Sequence, residues 1–140
     1  NAGVVQDGNN HEARIFQDGV GNYANVFQDG VDNEVTIEMR GNNNQAVASQ
    51  TGQSNSTYQS LTGSNNYSSA TQQGSGNYIS HVINGAGNSL ASVQIGKNNS
   101  ANLELNGNNN SISTTQTGNN LSFAMQHNGN DHHLVVQQTQ

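Results

Sequence analysis

The chain has 140 residues, of which 30% are hydrophobic and 9% charged, with neither proline nor cysteine. That composition cannot fill an ordinary globular core and excludes disulfides and thiolate metal sites; without repetition it would read as disorder. A formal net charge of −6 with only three Lys and Arg residues excludes nucleic-acid binding by phosphate neutralisation, and no apolar run approaches the ~20 residues that span a bilayer.

No signal-peptide pattern opens the chain, so it reads as a mature form. Asn1 to Gln6 already alternates as a strand does. From Gly8 onward glycine recurs every eleven residues, at Gly19, Gly30, Gly41, Gly52, Gly63, Gly74, Gly85, Gly96, Gly107, Gly118 and Gly129. Asparagine keeps the same interval at Asn22, Asn33, Asn44, Asn55, Asn66, Asn77, Asn88, Asn99 and Asn110. A fixed short period without insertions predicts one stacked structural unit per interval. In the second unit, Asn22, Ala24, Val26 and Gln28 point one way and Tyr23, Asn25 and Phe27 the other, which predicts a seven-residue strand. Asp18-Gly19-Val20-Gly21 predicts a four-residue turn, with the eleven-residue glycines as turn residues. The pattern runs on to Leu134-Val135-Val136-Gln137-Gln138. An eleven-residue period also suits a right-handed helical supercoil, but spacing of apolar residues at i and i+2 rejects it.

Aligning the units gives inward columns of small, aliphatic and some polar residues, among them Val35, Ile79, Leu90, His81, Ser92 and Leu103. The residue that closes each strand reads Gln28, Met39, Gln50, Leu61, Gln72, Ile83, Gln94, Leu105 and Gln116. Glutamine alternates with an aliphatic residue, so the true repeat is 22 residues, two strands and two turns. The expected fold is an all-β solenoid of two facing parallel sheets, cross-β in character. It has about six rungs in a single domain at 6–27, 28–49, 50–71, 72–93, 94–115 and 116–137. At ~4.8 Å per rung the stack is roughly 30 Å long. In-register amides satisfy one another as ladders. The expected ladder and polymerisation residues are Gln6, Gln17, Gln28, Gln50, Gln72, Gln94, Gln116 and Gln138, with the nine asparagines above.

The spacing Gln17-x-Gly19-x-x-Asn22-x-Ala24-x-x-x-Gln28, repeated as Gln94-x-Gly96-x-x-Asn99-x-Ala101 and more loosely along the whole chain, closely resembles the curlin repeat. Curlins are secreted subunits of curli, the extracellular functional amyloid of bacterial biofilms. The resemblance implies a secreted cell-surface fibre subunit that polymerises with itself. It also implies a minor nucleator subunit, an outer-membrane secretion pore and periplasmic chaperones as partners. The family's terminal secretion-targeting segment is not evident, and the asparagine column lapses at His11, Leu121 and His132. The regular Gln column and complete repeats favour the major subunit over the surface nucleator.

Independently of the resemblance, both ends continue the strand pattern with no candidate cap, which favours head-to-tail addition into an open filament. The competing class is a monomeric solenoid that binds ice or glycans. Its flat regular outward array is missing, since the outward pairs read Tyr23/Asn25, Glu34/Thr36, Gln45/Val47 and Ser56/Tyr58. Scattered tyrosines leave contact with matrix glycans or host proteins open.

Asp7, Asp18 and Asp29 fall in consecutive turns, either as ordinary turn residues or as gatekeepers whose stacked charges slow premature pairing. His127, Asp131, His132 and His133 cluster near the C-terminus, but His132 and His133 point to opposite faces. Substitution of an inward Gln or Asn is the simpler account of His127 and His132, and a satisfied core histidine that of His81. Glu104 is the sole acid between residues 39 and 130, so no paired acid and base exists there. The chain is expected to be non-enzymatic and without cofactor or metal.

Overall fold

The computed structural model describes residues 1–140 and contains thirteen β-strands and no helix. In chain order these are β1 Ala2–Asn9, β2 Glu12–Asp18, β3 Tyr23–Val31, β4 Glu34–Asn42, β5 Gln45–Gln53, β6 Ser56–Ser64 and β7 Tyr67–Ser75. They continue with β8 Tyr78–Ala86, β9 Ser89–Lys97, β10 Ser100–Asn108, β11 Ser111–Asn119, β12 Ser122–Asn128 and β13 His133–Thr139. Odd strands form a seven-stranded sheet and even strands a six-stranded sheet, each in sequential order. Every pairing is parallel, and partners such as Gln28 and Gln50, or Leu61 and Ile83, lie one 22-residue repeat apart. The molecule is therefore a β-solenoid of about six turns, as the alternation of Gln with Met, Leu and Ile predicts.

The strands differ from expectation in length. Interior strands run nine residues, not seven, with two residues between them. The ladder continues past the closing residue and through the glycine, so Gly30 pairs with Gly52 and Val31 with Gln53. Apart from Gly19 and Gly129, which fall just past β2 and β12, the eleven-residue glycines accordingly lie in the strands' last stretch, with φ from 109° at Gly41 to 141° at Gly118. Reversal itself falls two positions later, on a left-handed residue such as Asp32, Asn43, Asn65, Gly76 or Asn98. Asn, Asp and Gly tolerate that conformation better than other residues.

Gly52 shows why only glycine fits the strand position. A Cβ built there would lie 2.0 Å from the carbonyl oxygen of Gly74 in the next rung. The bend brings successive backbones together, and no side chain can stand between them.

The interior is thin. Of 37 buried residues only 16 are apolar, in one cluster that includes Ile37, Met39, Leu61, Ile83, Leu103 and Leu105. Most buried residues are polar, so hydrophobic burial alone cannot specify the fold. The 104 backbone hydrogen bonds, 81 of them within the strands, and the side-chain ladders supply the remainder.

Candidate functional site: the side-chain ladders

The glutamine ladder runs along the seven-stranded sheet. Each Nε2 donates to Oε1 of the glutamine one repeat later, from Gln6 to Gln28 at 2.7 Å through Gln50, Gln72, Gln94 and Gln116 to Gln138, with steps of 2.7–3.1 Å. From Gln28 onward the same Nε2 also donates across the core to the backbone carbonyl that opens the facing strand, as Gln50 does to Glu34 and Gln94 to Tyr78, both at 2.9 Å. Both amide hydrogens are thereby used, one along the stack and one between the sheets. Interior members such as Gln28, Gln50 and Gln94 are completely buried, where an unpaired amide costs about 1–3 kcal/mol.

Gln17 is not part of this ladder. It lies on β2 in the other sheet, beside Met39, and its amide bonds the backbone carbonyl of Asn1 at 3.2 Å. A glutamine every eleven residues alternates between sheets, so only every second one can join a given column.

The asparagines likewise form two columns, one on each side of the coil. Asn33, Asn55, Asn77 and Asn99 make one; Asn22, Asn44, Asn66, Asn88 and Asn110 make the other. Each donates Nδ2 to a glycine carbonyl of the next rung, and most also bond the carbonyl four residues back in their own bend. Asn33 Nδ2 donates to the Asp29 carbonyl at 3.0 Å and to the Gly52 carbonyl of the next rung at 3.1 Å. Its Oδ1 accepts both the backbone N–H and the Nδ2 of Asn55, at 3.0 and 3.2 Å. The asparagine therefore satisfies the glycine carbonyl that the bend exposes, which explains the fixed Gly-x-x-Asn spacing.

Histidine replaces asparagine at position 11 and keeps two of its bonds, without the one to the next rung's glycine carbonyl. His11 Nε2 donates to the Asp7 carbonyl at 2.8 Å, and Nδ1 accepts from the Asn33 N–H at 3.4 Å. Composition gives no hint of this substitution; only the column position does. At Leu121 and His132 the backbone N–H still donates to Asn99 and Asn110, both at 3.0 Å, but the Leu121 side chain returns no bond.

His127 stands in the aliphatic column, in register with Leu105, and so replaces an aliphatic residue, not a Gln or Asn. Its ring meets His132 edge to face at 4.8 Å, and its buried Nε2 lacks a partner. Asp131 and His133 stay outside that contact, and no three metal-ligating side chains converge. His81 is fully buried and bonds Ser68 and Ser92.

The three aspartates separate as the glutamines do. Asp7 and Asp29 stack in register on one sheet, while Asp18 lies beside Arg40 on the other. Arg14 bridges Glu12 and Glu34 on that second sheet. The stacked like charges are thus Asp7 and Asp29, with Asp18 outside that pair.

A family model described as the curlin associated repeat matches residues 8–38. No curated protein matches the chain. No helix is long and apolar enough to cross a membrane.

Proposed function

We propose that the chain, whose residues 8–38 match the curlin associated repeat, is the major structural subunit of an extracellular, curli-type amyloid fibre on the bacterial surface. Copies join end to end, in 22-residue units at 6–27, 28–49, 50–71, 72–93, 94–115 and 116–137, and the fibre serves biofilm matrix and adhesion. The family is structural and non-enzymatic, and the ladder residues do mechanical work rather than chemistry.

One observation carries this reading: each interior rung pairs in parallel register with the rung before it and the rung after it, so the fold adds like units along one axis. The Gln column runs the length of the seven-stranded sheet from Gln6 to Gln138, while the Asn columns give way to His11, Leu121 and His132 toward the two ends. The ends are also complementary in polarity. Gln6 donates its Nε2 inward and leaves Oε1 open, whereas Gln138 accepts on Oε1 and holds the outermost Nε2. A donor at one end and an acceptor at the other favour a heterologous, head-to-tail contact, which grows as an open filament. Long open edges with aligned amides are templates for such pairing.

Partners are then a second copy of the chain and, by family, the nucleator subunit, the secretion pore and periplasmic chaperones. The regular Gln column and complete repeats support the major subunit over the nucleator. The test is incubation of the purified chain with an amyloid dye, followed by electron microscopy. Dye-positive, unbranched fibres are expected. A monomer that persists for days at micromolar concentration without dye response contradicts the proposal.

A further inference from the structure

A continuous polar track crosses the middle of the core. Gln59 Nε2 donates to Ser68 Oγ at 2.9 Å, and Ser68 Oγ meets His81 Nδ1 at 2.9 Å. His81 Nε2 then meets Ser92 Oγ at 2.7 Å, and Ser92 Oγ meets Thr114 Oγ1 at 2.7 Å. The track switches sheets at each of its first three steps, from β6 to β7, β8 and β9, before it climbs to β11. It ties together five strands where other rungs hold aliphatic side chains.

The bonds fit a single imidazole proton. With Ser68 Oγ accepting from Gln59, its hydroxyl donates to Nδ1; Nε2–H then donates to Ser92, whose hydroxyl donates to Thr114. A second ring proton makes Nδ1 a donor, which reverses the Ser68 bond and breaks the run of donors and acceptors from Gln59 to Thr114. It also places a cation where nothing offsets it. The titratable and charged side chains of the surrounding strands, Tyr58, Tyr67, Tyr78, Lys97 and Glu104, all alternate with the buried positions and lie on the outer face. A charge without a partner in such a place is strongly disfavoured.

We propose that this track makes closure of the central rungs conditional on an uncharged imidazole, so that acid holds the chain unfolded and unassembled until the pH rises. The track lies inside one chain, so acid acts on folding whether or not copies join. Burial lowers the His81 pKa from 6.5 to about 3, which fixes the direction. Between those values the unfolded chain binds a proton at His81 and the folded chain does not, so stability is complete above 6.5 and falls as the pH drops. Each pH unit in that window weakens folding about tenfold.

The test compares the chain with His81→Gln. The introduced amide stands in register over Gln59, whose buried Oε1 lacks a donor, so the substitution suits the core without titrating. Denaturant midpoints taken from about pH 7 to about pH 4 should show the parent losing roughly tenfold per unit relative to the variant. Parallel curves for the two chains overturn the proposal. Imidazole nitrogen chemical shifts of the folded parent give a second reading that needs no variant. A neutral His81 ring at about pH 5 is expected, and a charged ring inside an intact fold at that pH overturns the proposal.

Discussion

A single methyl group decides whether a rung can lie on the next. At Gly74, with φ +124°, an added Cβ would sit 1.9 Å from the Gly96 carbonyl oxygen, a backbone atom that cannot swing aside. At Gly76, two residues on, φ is +66° and the nearest atom is the flexible Asn98 amide oxygen at 2.5 Å. Equivalent positions in other rungs already hold Asn or Asp. Gly74→Ala is therefore expected to lower stability by a few kcal/mol or abolish folding, while Gly76→Asn changes it by less than about 1 kcal/mol. Denaturant midpoints of the two variants check this, and equal losses would contradict the backbone-contact account. Gln72→Leu removes partners from Gln50, Gln94 and Thr57 at once. A loss of about 1–3 kcal/mol is expected for each buried group left unpaired, against a much smaller loss for Gln138→Leu at the exposed end. The ladder residues were legible in sequence because a column repeats at fixed spacing. His11 and the Gln59–His81 track were less so, since their partners lie 22, 9, 13 or 11 residues away and each occurs once.

Strands were legible in number and direction, but not in length. Alternation stops at the closing glutamine, where the glycine begins, and a sequence reading takes glycine for a turn. Here the backbone bends at the glycine yet keeps its ladder, because the facing rung bends identically. Turn chemistry moves to the two-residue gap, where Asp32 and Asn33 supply a left-handed residue and the cap. The same alternation separates the aspartates. Asp7 and Asp29 face each other across neighbouring strands, and like charges so placed cost roughly 0.2–1 kcal/mol. Asp29→Asn is expected to shorten the lag of fibre growth at low ionic strength and to matter little in high salt. Asp18→Asn, beside Arg40, should give no such gain. Identical lag times for Asp29→Asn and the parent at low salt would remove the gatekeeper role.

Across the whole molecule, repetition replaces the hydrophobic core as the source of order. Each rung is too thin to bury much apolar surface, and its amides are satisfied only when a neighbour repeats them. Stability is then a sum over neighbouring rungs, and the end strands are the places where the sum is incomplete. A sequence with a 22-residue repeat makes the architecture legible. Where one copy meets the next, the solenoid's own register is expected to continue through the junction. Cryo-EM of the assembled chain tests this most directly. The account predicts strands stacked at ~4.8 Å along the fibre axis, with the Gln column and the 22-residue strand register running on from one copy into the next. Fibres in which copies associate through their outer faces, with the end rungs left open, would contradict it.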